Sequence, residues 1–235
     1  MAENYLSTTF SRNSVLPGLL GAGELVFERD SEKQASILLS LKCLINFVRN
    51  CRDDVFYLHV LQHCVFNDID SNLFFVSCRY LQDKLPFIDR TRTAIWGWSY
   101  GGYATGMTLA MDLKGVFKCG MSVAPVTDWA LYDSIYTERF MGLPTVTDNL
   151  QGYEHGQLLN KVENIKNKMY YLIHGTLDDN VHYQQSLMLA KVLEQKDILF
   201  RQQTYTDEDH GIVQSRAHLY HSLENFLDEC FQTSS

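Results

Sequence analysis

At 235 residues, 46% of them hydrophobic and 20% charged, the chain is long enough for one domain with a sizeable core. A formal net charge of -8 argues against nucleic-acid binding and against a polybasic membrane contact. The six cysteines form no C-x-x-C pair, so the sequence indicates neither a structural zinc site nor a thioredoxin-like motif.

Residues 1–10 are polar, with no basic region leading into an apolar core. The longest apolar stretch, 37–48, is interrupted by Ser40, Lys42 and Asn46 and is too short to span a bilayer. No signal peptide or membrane segment is read, and the compartment stays open. Residues 31–50 have helical content but no clean apolar face. Val55–Val60 and Leu73–Val76 read as short buried strands. Gly18, Gly21 and Gly23 mark a loop, with no G-x-G-x-x-G and no P-loop, so no cofactor is indicated. His59 and His63 would share one face of a helix as metal ligands. Their aromatic and β-branched neighbours favour strand, and no third ligand is evident.

From Arg79 the text is easier to read. Residues 79–84 look like the end of a helix, and 85–89 lead into a strand at 93–96. Then comes Gly97-Trp98-Ser99-Tyr100-Gly101, followed by Tyr103, Met107 and Met111 at helical spacing. Strand, sharp turn and helix are the context in which G-x-S-x-G forms a nucleophile elbow. Gly97 and Gly101 let strand and helix approach. The turn strains Ser99 and aims the backbone N–H of Tyr100 at a developing oxyanion.

Further on, 116–123 reads as a buried parallel strand and 129–140 as helical. Residues 144–167 are polar, with a helix from 158. A strand at 169–173, a helix over 181–195, a strand at 199–205 and a closing helix over 212–231 follow. This alternation implies an α/β fold: a parallel sheet flanked by helices. All carboxyl ends of parallel strands lie at one edge, where sites form. Three of those ends carry Ser99, the acids Asp178 and Asp179, and His210, in the α/β-hydrolase order of serine, acid and histidine. A hydroxyl is a poor nucleophile at neutral pH, so a histidine must take its proton and a carboxylate must orient the imidazole. A metal reading of His174, His182 and Asp178 is the weaker alternative. Trp129, Tyr132 and Tyr136 fall at i, i+3 and i+7, one face of a helix, as a core stripe or a pocket wall.

Four runs carry a resemblance to the prolyl oligopeptidase family of serine peptidases, in its dipeptidyl peptidase IV branch. They are Gly97-Trp98-Ser99-Tyr100-Gly101-Gly102-Tyr103, the stretch from Asp133 to Pro144, the stretch from His174 to Gln185, and that from Tyr205 to Ile212. The likeness runs from about Leu85 to Phe231. It implies an α/β-hydrolase fold with Ser99 as nucleophile, Asp178 as orienting acid and His210 as base. The implied activity is release of an amino-terminal dipeptide from a peptide with proline or alanine at the second position. The resemblance further implies that Tyr100, Val126, Trp129, Tyr132, Tyr136 and Val181 line the apolar pocket for proline, and that Asn180 binds a substrate carbonyl. It implies a disulfide between Cys119 and Cys230, and hence an oxidising compartment; two buried thiols are the other reading. Such relatives stand at the cell surface or are secreted, and pair as homodimers through this domain.

Residues 1–78 are left unassigned, beside a peptidase domain over 79–235. Relatives carry in the unmatched part the first strands of the sheet, with a tyrosine that completes the oxyanion hole. Farther upstream they carry a β-propeller with two glutamates that grip the substrate amine. None is recognisable here. The sequence therefore leads to the expectation of a truncated or aberrant chain whose sheet lacks its first strands. The elbow strand then has an unpaired edge unless residues 1–78 cover it. Two functional readings follow: a serine exopeptidase, or a non-catalytic interaction protein on the same fold.

Overall fold

The computed structural model describes residues 23–26, 35–42, 55–61, 78–85 and 88–232, the first three stretches as backbone only. Among the described residues, seven strands form one sheet: β1 (Gly23–Val26), β2 (Ala35–Lys42), β3 (Val55–Leu61), β4 (Ile88–Trp98), β5 (Cys119–Val123), β6 (Met169–Gly175) and β7 (Arg201–Tyr205). Their spatial order is β1-β3-β2-β4-β5-β6-β7. β1 runs antiparallel to β3, and the remaining pairs are parallel.

Two expectations about the amino-terminal region are corrected. Residues 31–50 contribute a strand, β2, where the sequence suggested helix. The run Ile37-Leu38-Leu39-Ser40-Leu41 is apolar without helical periodicity, as suits a strand flanked by partners on both sides. The elbow strand is therefore no edge. β2 pairs with β4 from Ile37 opposite Thr93 to Lys42 opposite Trp98, with an irregularity between Ala35 and Ile37. The sheet does not lack strands on that side. The strand expected at 55–60 is β3, whereas the one expected at 73–76, with His63, Gly18 and Gly21, lies outside the described residues.

The helices are α1 (described over 78–84), α2 (Tyr100–Met111), α3 (Ser134–Met141), α4 (Leu150–Gly156), α5 (Gln184–Gln195) and α6 (Arg216–Gln232). The helix expected from 158 is instead two 3-10 segments, Leu158–Asn160 and Val162–Asn167. Side chains of β4 and β6 alternate between two cores, as the two-residue period of a strand requires. Ile95 and Leu172 pack into one core with Leu109 of α2 and Leu189 and Leu193 of α5. Ala94, Trp96, Met121, Tyr171 and Ile173 pack into the other with Leu219, Leu223, Phe226 and Leu227 of α6. α2 is buried from Tyr100 to Ala110, which its small residues allow. A Cβ on Gly102 would meet the Val123 carbonyl at 2.9 Å, so glycine there seats α2 against the end of β5.

Cys119 of β5 and Cys230 of α6 are bridged across 111 residues of sequence. In the chain-entropy account, closing a loop of this length removes enough freedom from the unfolded chain to stabilise the fold by about 5 kcal/mol. The Cys119→Ser/Cys230→Ser double variant is expected to lose about that much stability. Urea unfolding of oxidised, reduced and doubly substituted chains checks this, with the last two expected to coincide.

Candidate active site

Register aligns the strand ends. Trp98 of β4 lies opposite Val123 of β5, Val123 opposite Ile173 of β6, and Gly175 of β6 opposite Tyr205 of β7. The segments carrying Ser99, Val126 to Trp129, Asp178 to Val181, and His210 therefore leave the sheet at the same edge.

Ser99 lies between the last residue of β4 and the first of α2. Its φ of 60° and ψ of -122° belong to a conformation that residues with a side chain rarely adopt. Two backbone bonds hold it there. Its N–H donates to the Val123 carbonyl at 2.8 Å, and its carbonyl accepts from Tyr103 N–H at 3.1 Å. A serine at a helix start ordinarily caps the first turn with its hydroxyl. Here the side chain makes no capping bond, and no acidic residue stands in the first turn of α2. The N–H of Tyr100 belongs to that turn, whose donors lie outside the helical ladder and carry the positive end of the helix dipole. The serine is half-buried.

The loops after β6 and β7 are stitched together by backbone. Thr176 N–H donates to the Tyr205 carbonyl at 2.9 Å and Leu177 N–H to the Glu208 carbonyl at 3.0 Å. Only glycine fits at 175, since a Cβ would meet the Glu208 and Asp209 carbonyls at 2.3 and 2.8 Å. Across this seam His210 Nδ1–H donates to Asp178 Oδ2 at 2.7 Å. Trp98, next to Ser99, donates its indole N–H to the His210 carbonyl at 2.9 Å and so ties the histidine loop to the end of β4. Of the acidic pair, Asp178 is buried and bonded to His210, whereas Asp179 is exposed.

Asp178 accepts four bonds. The Asn180 and Val181 N–H groups reach Oδ1 at 3.0 and 2.9 Å, while His210 and His174 share Oδ2. Burial pushes the carboxyl up, but hydrogen bonds from His174 and His210, with their attraction for the anion, prevail and hold it down at about 2. The sign follows from linkage. A carboxyl depressed on folding contributes stability above its ordinary value of 3.8, and loses it as pH falls toward about 2. The contribution is about 2 kcal/mol at neutral pH. Urea midpoints measured from pH 6 to pH 2 are expected to fall less steeply for Asp178→Asn than for the unmodified chain.

Beside this pair stands an aromatic cluster. The Trp129 ring lies 5.0 Å from Tyr103, 6.1 Å from Tyr100, 5.9 Å from Tyr132 and 6.3 Å from Tyr136. Val126 and Val181 are buried in the same core. The tyrosines and Trp129 do not share one helical face, as the spacing suggested. Trp129 lies in a 3-10 turn, Trp129–Leu131, and the chain is extended at Tyr132. α3 then starts afresh, with the Asp133 side chain accepting from Tyr136 N–H at 2.8 Å. The break turns the three rings inward on one another. Tyr132 O–H donates to Asn180 Oδ1 at 2.7 Å, joining the cluster to the Asp178 loop. Gln185, missed in the sequence, fixes the segment beneath. Its side-chain carbonyl accepts from Thr127 and Asp128 N–H at 2.8 and 2.9 Å.

A model of the prolyl oligopeptidase family matches residues 69–234. The chain belongs to the prolyl oligopeptidase family. Among family relatives, the venom dipeptidyl peptidase 4 of Vespula vulgaris is 56% identical over 156 residues, 66% of this chain and 20% of that protein. The dipeptidyl peptidase 4 of Bos taurus is 53% identical over 150 residues, 63% of this chain and 20% of its own length. This chain thus spans about a fifth of the length of these relatives. The crystal structure of Porphyromonas gingivalis dipeptidyl peptidase 4 superposes with a TM-score of 0.75 at 29% identity, over 88% of this chain and 33% of that one. In this family setting the sheet is that of an α/β hydrolase.

A metal at His174 and His182 does not fit this arrangement. Both ring nitrogens of His174 are committed to protein partners, Ser186 on one side and Asp178 with the Val181 carbonyl on the other.

Proposed function

We propose that this chain is a serine-type exopeptidase that releases amino-terminal dipeptides whose second residue is proline or alanine. The observation that carries the reading is the 2.7 Å bond from His210 to buried Asp178, tethered through Trp98 to the strained serine at the start of α2. The names of the relatives, dipeptidyl peptidase 4, supply the reaction class.

In this reading His210 Nε2 takes the proton of the Ser99 hydroxyl as Oγ attacks the scissile carbonyl carbon. Asp178 keeps the other ring proton on Nδ1 and stabilises the imidazolium. The oxyanion collects on the carbonyl oxygen, where Tyr100 N–H donates to it. Return of the proton to the leaving amine breaks the C–N bond and leaves an ester on Ser99. Water, deprotonated by the same histidine, then hydrolyses the ester and restores the hydroxyl.

We place the proline against the aromatic cluster. Tyr100, Trp129, Tyr132 and Tyr136 pack together with Val126 and Val181 in one apolar core, and an apolar, aromatic wall of this kind suits a compact, rigid proline ring. Tyr132 O–H meets Asn180 Oδ1, which leaves the NH2 group of Asn180 to meet a substrate carbonyl in this reading. Hydrolysis of Gly-Pro and Gly-Leu anilides tests the proposal. Turnover of the first and not the second supports it, and turnover of neither by a folded chain removes it. The bridged cysteines agree with folding in an oxidising compartment.

A further inference from the structure

Behind the acid lies a second histidine that the reaction above leaves without a role. His174, the last residue but one of β6, has only 1% of its surface exposed. Its Nε2 is 2.7 Å from the Val181 carbonyl, which can only accept, so Nε2 carries the hydrogen. The same N–H faces Asp178 Oδ2 at 3.1 Å. Nδ1, the acceptor in the neutral ring, receives the Ser186 hydroxyl at 2.7 Å. Tyr183 stands edge-on to the ring at 5.6 Å. The ionisable or polar groups around His174 are thus Asp178 on its loop, His210 beyond it, and Tyr183 and Ser186 at the start of α5.

We infer that His174 is a positioning residue for the base. Its N–H binds the same carboxylate oxygen that His210 uses, and fixes where that oxygen lies. Ser186 sets its tautomer. Two features support a role beyond packing. The ring closes a loop of bonds in which Val181 N–H goes to Asp178 Oδ1 and the Val181 carbonyl returns to His174, and the carboxylate cannot rotate without breaking the bonds it accepts from Asn180, Val181, His174 and His210. The N–H also draws charge from Oδ2 and so tempers how strongly Asp178 holds the proton on His210. Loss of this donor therefore moves the carboxylate and makes His210 more basic. The inference rests on the Ser99, His210 and Asp178 reading for its kinetic part only.

The test uses the full chain with His174→Leu, His174→Gln and Ser186→Ala. The glutamine amide can place an N–H where Nε2 stood, whereas leucine cannot. Two readouts are followed: kcat and KM on Gly-Pro anilide, and the proton resonance of the His210 Nδ1–H with its pH titration. For His174→Leu the expected result is a fall in kcat of about 100-fold, as for a small misplacement of catalytic groups, with KM within about threefold. The His210 resonance shifts and its titration moves to higher pH. His174→Gln regains at least about tenfold of the rate and returns the resonance toward its original place. Ser186→Ala lowers kcat by about fivefold and shifts the resonance in the same direction. If His174→Leu does not fold, Ser186→Ala decides alone. A folded His174→Leu or Ser186→Ala chain with unchanged resonance, titration and kcat overturns the inference, as does a glutamine variant no better than leucine. The resonance does not need turnover. Should the unmodified chain not hydrolyse the anilide, the proposed activity fails while the His174 question is still answered by the resonance.

Discussion

Ser99→Ala is expected to lower kcat on Gly-Pro anilide by a factor of about 10⁵ to 10⁶, leaving only what binding and the oxyanion donor supply. The alanine fold should survive. Ser99 makes its structural bonds through backbone N–H and carbonyl, and its side chain does not cap α2. Loss of the hydroxyl should therefore leave the urea midpoint within about 0.5 kcal/mol of the unmodified chain. Unchanged unfolding beside lost turnover separates a chemical role from a structural one. Residual turnover above a thousandth of the original would mean that another group in the chain hydrolyses the substrate.

Asp178→Asn is the second large effect, about 10⁴-fold in kcat. An asparagine keeps the size of the side chain but can present an NH2 group to His210. The imidazole then holds its proton on the wrong nitrogen to act as a base toward Ser99. The structural cost is also plain, because Asp178 accepts four bonds and an amide can accept only on its oxygen. Raising the pH should not restore the rate, since the fault lies in the tautomer and not in a charge. The kcat of the variant measured from pH 6 to pH 9 checks this. A loss of less than tenfold would remove Asp178 from the mechanism.

The elbow and the order of serine, acid and histidine were legible because each depends on short-range signals. Gly97, Ser99 and Gly101 mark the turn, and apolar runs ending in polar clusters mark the strands. What failed depends on partners that no periodic pattern marks, some of them distant in sequence. Residues 35–42 could be assigned to a strand only by their partners, β3 on one side and β4 on the other. The spacing of Trp129, Tyr132 and Tyr136 suggested a helix, but Asp133 captures the N–H of Tyr136 and restarts the chain at α3. The rings still meet, by a kink that periodicity does not encode. His174 was visible as a polar residue at a strand end. Its partners, Ser186 on α5 and Asp178 four residues away beyond a turn, form no repeating pattern. Gln185 was hidden for the same reason, being read as part of a helix while its amide holds Thr127 and Asp128.

The central claim is that the Ser99 hydroxyl is activated by His210 held on Asp178. Labelling of the purified chain with a fluorophosphonate, followed by peptide mass mapping, tests it most directly, because the probe needs an activated serine and no dipeptide recognition. The account predicts one adduct, on the peptide containing Ser99, that disappears in His210→Gln. A folded chain that takes up no probe, or an adduct that persists in His210→Gln, would contradict it.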